Sequence, residues 1–191
     1  MLGAALEAFA EFGFAGTSVR EVARRLGVSH NLIPQRFGSK ERLWYAAVDH
    51  GFGRLASEIV AEDLPGDDLG RLRGMIVRFV AGNAANPALL RVINQEASSP
   101  GPRLDYLFDN YIEPVRAFGE SLLADLHARG EVRTTSVALL YFLMTNGAGG
   151  VLAFPGLAER FGEGIDLHDE AARRRYAEVV VDVLFEGLET R

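Results

Sequence analysis

The sequence predicts an all-α protein: a small N-terminal three-helix head and a larger C-terminal helical body, about nine helices in all. Three observations predict it. Apolar residues recur at spacings of three and four along most of the chain, and no segment alternates apolar and polar residues as a half-buried strand would. Turn residues separate the periodic stretches, at Gly13 and Gly16, Gly27, Gly38-Ser39, Asp63 to Asp68, Asn86-Pro87, Ser99 to Pro102 and Arg129-Gly130.

Taken in order, Leu2, Ala5, Leu6 and Phe9 share one face of a first helix that ends at Gly13 and Gly16. Val19, Val22, Ala23 and Leu26 share one face of a short second helix. Its start, Ser18-Val-Arg-Glu21, matches a capping box, in which the serine accepts from the third helical amide and the glutamate reaches back. Gly27 ends that helix where a left-handed residue is needed. A third helix buries Ile33 and Phe37. Gly38-Ser39 caps a fourth, with Leu43, Ala46, Ala47, Phe52, Leu55 and Ile59 inward, running to about residue 62. Further helices are expected at about 68–85, 87–97, 102–129, 135–153 and 169–188, with a kink at Pro114 and a Gly-rich loop from Phe154 to His168. The head is assigned to residues 1–48 and the body to 49–191.

With 191 residues and 48% apolar side chains the chain can build a real core. It has no cysteine, which excludes disulfides, thiolate metal sites and thiol nucleophiles and fits a cytoplasmic location. The N-terminus lacks a basic segment and carries Glu7 and Glu11, unlike a secretory signal. The longest apolar run, Val137 to Met144, is far short of the roughly 20 residues of a membrane span and reads as a buried core helix. Net charge is −6, but all six basic residues of the first fifty lie between Arg20 and Arg42. A locally basic head on an acidic body is compatible with DNA binding, and equally with helix faces that simply carry charge.

One short helix, a turn centred on Gly27 and a second short helix make the helix-turn-helix layout. Val22, Leu26, Val28, Ile33 and Phe37 would fill the seam, which turns His30, Asn31, Pro34, Gln35 and Arg36 outward. The motif "TSVREVARRLGVS", followed by "FGSKERLW" (Thr17 to Trp44), resembles the DNA-binding domain of the TetR family of transcriptional regulators over roughly the first 60 residues. The resemblance implies a homodimer whose heads enter successive major grooves of a near-palindromic double-stranded operator. It also implies that a small-molecule effector in each body releases the DNA, with repression the commoner mode. By position it implies a guanine-reading role for Arg20, whose fork fits O6 and N7. It implies phosphate contacts for Thr17 and Ser18 at a helix N-terminus. Ser29, His30 and Asn31 would begin the recognition helix, Gln35 and Arg36 would reach the DNA backbone, and Lys40, the one lysine of the chain, would anchor a phosphate.

Two departures from the family pattern stand out. No Lys or Arg precedes Arg20, so either a basic extension is missing or fewer phosphates are contacted, which flattens the salt dependence. Pro34 falls where the family usually has a tyrosine. A proline inside a helix costs about 3 kcal/mol. If Asn31 is the N-cap, however, Pro34 is the third helical residue and no paired amide is lost. We therefore expect a short turn at Ser29-His30, a helix from Leu32 to about Phe37, and a ring free to press on a thymine methyl.

In the body, polar residues in apolar surroundings suggest a ligand pocket, for which Phe79, Ile93, Asn94, Phe108, Tyr111, Phe118, Met144 and Asn146 are the candidate lining; each is also readable as ordinary core. Gly147 to Gly150 permits either close helix packing or room for a ligand. The stripe Tyr176, Val179, Val180, Val183, Leu184 and Leu188 on the last helix, with Val137 to Met144, is the candidate dimer interface. The four histidines have no metal-ligand spacing, no serine sits in a nucleophile elbow and no Gly-rich loop follows a strand, so neither catalysis nor a metal or cofactor is expected. The other function left open is a helical protein that binds a small molecule or a partner and whose head no longer reads specific DNA.

Overall fold

Several helix boundaries of the N-terminal region are set by a capping side chain or by a glycine with positive φ. The computed structural model describes residues 1–64, 66–162 and 165–188. Helix α1 (Leu2–Gly16) buries Ala5, Leu6, Ala8, Phe9 and Ala10, and is interrupted at Gly13, whose φ of 70° and ψ of 170° are not helical. Thr17 closes this end. Its amide donates to the Gly13 carbonyl at 3.1 Å, and its hydroxyl lies 2.7 Å from that oxygen and 3.0 Å from the Ala8 carbonyl.

In α2 (Val19–Arg25) the Ser18 hydroxyl accepts the Glu21 amide at 3.1 Å. Only half of the expected capping box forms. The Glu21 carboxylate takes Arg24 at 2.7 Å and Arg25 at 3.0 Å instead of reaching back. Gly27 has a φ of 63°. Its amide donates to Arg24 and that of Val28 to Ala23, so the αL glycine satisfies two carbonyls that the helix end leaves free. The six-residue α3 (Leu32–Phe37) follows, with Asn31 before it and Gly38 after it. Ser39 then caps α4 (Lys40–Ile59), its hydroxyl accepting the Arg42 amide at 3.1 Å.

Beyond these lie α5 (Asp68–Ala85), α6 (Ala88–Glu96) and α7 (Pro102–Leu107). The helix expected over 102–129 is continuous, but it passes through a π-helical turn at Phe108–Ile112 before α8 (Glu113–Ala128). Pro114 explains the turn. It lacks the amide that would serve the Asn110 carbonyl, and its ring crowds that carbonyl, so the wider turn falls just before it. The next expected helix, 135–153, likewise divides into α9 (Val137–Phe142), a π turn (Leu143–Ala148) and α10 (Gly150–Ala153). The segment read as a loop contains a short helix, α11 (Pro155–Arg160). Helix α12 (Glu170–Leu188) ends the described chain. Among the described residues no β-strand forms, and no helix is long and apolar enough to cross a membrane.

The chain divides into two compact units, Met1–Arg54 with Ala88–Phe108, and Leu55–Pro87 with Asp109–Arg191. Residues 88–108, assigned to the body from sequence, therefore belong with the head. In the first unit α1 packs on α2 and α6, around buried Leu6, Phe9, Val22, Ile33, Leu43 and Trp44. In the second, α5 packs against α12 and α8. A Cβ on Gly82 of α5 would lie 2.3 Å from a methyl of Leu55, so a larger residue there would force the Leu55 side chain to move.

Thr17 is 2% exposed. Its hydroxyl faces backbone carbonyls of α1 inside the unit and not the outer surface where a phosphate contact was expected. Valine has the same shape without the hydroxyl, so Thr17→Val should destabilise the protein by about 1–3 kcal/mol. Urea unfolding followed by circular dichroism measures it; wild-type stability would mean that the hydroxyl does not hold this turn.

Candidate DNA-binding surface

Helix α3 is short because both of its ends are fixed. The Leu32 amide donates to the Ser29 carbonyl at 2.9 Å, forming the turn expected at Ser29-His30. The ladder starts only at Gln35, whose amide donates to Asn31 at 3.1 Å. Pro34 is the third residue of the helix and lies upstream of that first bond, where its missing amide removes nothing. The Asn31 side chain makes no capping bond; the Ser29 hydroxyl accepts the Asn31 amide at 3.4 Å in its place. Gly38, with φ of 79°, ends the helix by donating to the Pro34 carbonyl at 2.8 Å.

Ile33 is fully buried in this turn-helix pair, and His30, Asn31, Pro34, Gln35 and Arg36 are exposed. Ser18, Arg20 and Ser29 are exposed as well. The Ser18 hydroxyl is occupied by its cap, while Arg20 makes no hydrogen bond or ion pair among the described residues. Arg36 lies 5.7 Å from the Phe37 ring centre, a cation–π distance that leaves its N–H groups outward-capable. Lys40 is half-buried. Its ammonium donates to the Ala15 carbonyl at 3.3 Å and lies 4.6 Å from the Phe14 ring, so it is neither a free anchor nor a fully solvated charge.

Not every basic residue of the head is available. Arg24 and Arg25 are held by Glu21, and Arg25 also by Glu11 at 2.8 Å. The hydrogen bonds from these arginines hold the Glu21 carboxyl down to about 2. Arg42, counted from sequence only as a charge, is exposed in the first turn of α4 and has no ion pair among the described residues. Its position two residues after Lys40 was the signal available for it.

The second unit carries the candidate dimer residues and most of the candidate effector residues. Of the eight pocket candidates, Ile93, Asn94 and Phe108 lie in the first unit and the other five in the second. Phe79 meets Tyr141 edge to face at 6.1 Å, and burial pushes the Tyr141 hydroxyl up to about 12. Tyr111 and Phe118 are half-buried, Met144 is buried, and Asn94 and Asn146 are exposed. Asn146 donates to the Thr145 hydroxyl, which donates to the Tyr141 carbonyl. A groove of about 370 Å³ between α8 and residues 133–138 includes Arg116, His127, Arg133 and Ser136, and none of the eight candidates lines it.

On α12 the predicted stripe is split by the packing. Leu188 is buried with Ala177, Val181 and Phe185 on the core face, so it is not available to a partner. Tyr176 donates to the Ala148 carbonyl at 2.6 Å within its own chain. Val180 and Leu184 are half-buried. Val179 and Val183 are 61% and 68% exposed.

The seam, the two glycine stops and the outward polar row define a helix-turn-helix protein with a separate helical unit attached. The bacterial regulatory protein model of the tetR family matches residues 1–47. The HTH-type transcriptional repressor Rv3405c of Mycobacterium tuberculosis is 38% identical over 71 residues, 37% of each chain. Over this N-terminal segment the chain is thus similar to the tetR family of bacterial regulatory proteins. The matched segment spans only about 37% of the length of the curated relatives it matches. The fold extends much further. A TetR family transcriptional regulator, PfmR from Thermus thermophilus, superposes with a TM-score of 0.70 at 21% identity, covering 99% of this chain and 98% of the other. HlyIIR, a hemolysin II transcriptional regulator, does so with a TM-score of 0.71 at 18% identity, covering 100% and 95%.

If Pro34 sits upstream of the ladder, removing it gains little. Pro34→Ala should leave stability within about 1 kcal/mol of wild type, whereas a ladder-breaking proline would give back about 3 kcal/mol. Thermal unfolding of the two proteins separates these outcomes.

Proposed function

We propose that the protein is a ligand-responsive, sequence-specific DNA-binding transcriptional regulator, a repressor that a small molecule releases from a near-palindromic operator, and that it acts as a homodimer in the cytoplasm. One observation carries the reading. The exposed face of α2 and α3 presents Arg20, His30, Asn31, Gln35 and Arg36 around a proline ring, and none of these five side chains is bound in an ion pair among the described residues. That is the inventory a major-groove reader needs: an arginine fork for guanine, amides for adenine, and an apolar surface for a thymine methyl. Ser18, Ser29 and Lys40, with Arg42, supply candidate phosphate contacts, which position the head without specifying sequence. The effector site is proposed among Phe79, Tyr111, Phe118 and Met144, apolar and aromatic residues of the second unit.

The test is binding to a duplex from the region upstream of the protein's own coding sequence. Wild-type binding should be saturable and should weaken as salt rises. Arg20→Ala should cost about 1–3 kcal/mol and relax preference at one base pair while leaving the salt slope nearly unchanged. Wild-type affinity for every operator variant would refute the role of Arg20, and no preference for any duplex would refute sequence-specific regulation.

The dimer reading rests on side chains that the chain does not cover itself. Leu139, Phe142 and Leu143 around α9 are exposed, Phe142 by 60%, as are Val179 and Val183 of α12. Apolar surface of this kind marks an interface. Light scattering at micromolar concentration should give a dimer for the wild type and a monomer for Val183→Glu. A monomeric wild type would remove the dimer from the proposal.

A further inference from the structure

The environment of Lys40 depends on a residue more than sixty positions away. Phe14, in the last turn of α1, stacks on Phe9 with ring centres 6.0 Å apart. The Lys40 ammonium lies 4.6 Å from the Phe14 ring, and the Arg103 guanidinium, from α7, lies 4.1 Å from the same ring. Two cations at one ring repel unless one is neutralised. Glu96, whose side chain is only 10% exposed, does this by accepting Arg103 Nε at 2.9 Å. Arg103 is also 6.0 Å from the ring of Trp44, one turn beyond Lys40 on α4. It therefore touches both the ring beside Lys40 and the helix that carries Lys40.

Residues 88–108 reinforce this contact along both helices. Arg91 pairs with Glu7 at 3.0 Å, and the Gln95 side chain donates to the Ala10 carbonyl at 2.9 Å, both on α1. The Tyr106 hydroxyl donates to Asp49 of α4 at 2.6 Å. Lys40 uses one N–H on the Ala15 carbonyl, and an ammonium has three. The other two are available for an anion as long as the ring and carbonyl hold the side chain in place.

We propose that Arg103 is a positioning residue for DNA binding. Through Phe14 it fixes the Lys40 ammonium where a phosphate of the DNA backbone meets it. The proposal rests on the DNA-binding reading of the head and deepens it. It assigns part of phosphate recognition to the 88–108 segment, which touches no DNA itself.

The experiment measures the salt dependence of binding to a mixed-sequence duplex, which reports phosphate contacts without requiring the operator. Arg103→Met combined with Glu96→Gln avoids leaving a buried carboxylate uncompensated. The proposal expects this variant to bind more weakly and its log–log salt slope to fall by roughly one unit, the contribution of a single phosphate contact. Lys40→Ala should lower the slope equally, and combining all three substitutions should lower it no further, because both act on one contact. Arg103→Lys alone, which keeps a cation over the ring, should retain the wild-type slope. A merely structural role for Arg103 would lower the melting temperature and leave the slope unchanged, and that result overturns the proposal. Additive effects on the slope overturn it too. A wild type that shows no salt-dependent binding at all overturns the DNA-binding reading instead, so the two failures are distinguishable.

Discussion

A six-residue helix has no stability of its own in water, because nucleation is costly and the ladder here is too short to repay it. Everything that α3 does therefore depends on the structure around it. Ile33 is buried, as are Val22 and Ala23 of α2, on which α3 packs, and Gly27 and Gly38 stop the flanking turns by adopting a φ that other residues avoid. This constraint explains the tolerance of Pro34. Where packing and turns set the helix, the first hydrogen bond forms only at Gln35, and a proline upstream of it costs little. A rigid ring at that position also reduces the freedom of a segment that must present its side chains in one geometry.

The sequence made the local features legible and the long-range ones invisible. Helix positions, the αL role of Gly27, the Ser18 cap and the late start of α3 all follow from neighbours within a few residues, and the structure has them. Thr17 shows where this stops. Its hydroxyl has the chemistry for a phosphate, but residue type gives capacity and not direction, and the kink at Gly13 turns the hydroxyl to carbonyls of α1. The Glu21 carboxylate also had two choices, the cap amide and the arginines one turn away, and the charged pair won. Residues 88–108 could not be assigned to the head at all from periodicity, because Gln95 and Arg103 find partners on α1 across dozens of positions. The π turn before Pro114 was foreseen only as a kink, since sequence marks the breaker and not how the backbone absorbs it.

The head's positive character likewise depends on pairing more than on count. Six basic residues lie between positions 20 and 42 of a chain with net charge −6. Arg24 and Arg25 are neutralised by Glu21 and Glu11, which stiffens α2 against α1 without adding to an external field. Arg20, Arg36 and Arg42 carry no such partner among the described residues. The charge that remains is thus concentrated on the segment from α2 to the start of α4. An acidic remainder does not oppose this at short range, because at physiological salt charges are screened over about 8 Å.

Helix α12 shows the same logic applied to apolar surface. A helix at the edge of a finished domain has one apolar stripe and an opposite polar face. This one is apolar on two sides: Ala177, Val181, Phe185 and Leu188 are buried in the unit, and Val179 and Val183 stand exposed between Glu178, Asp182 and Glu186. The first stripe already satisfies the core, so the second is not needed for folding the chain. Leaving it in water forfeits the roughly 25 cal/mol gained per Å² of apolar area covered. Leu139, Phe142 and Leu143, in the same unit, forfeit it as well. Slippage along such a face would bury charged groups, Glu186 among them, and this restricts the geometry a partner can take. In the dimer proposed above, a second copy of the chain, which brings an identical pair of exposed stripes, would cover both at once.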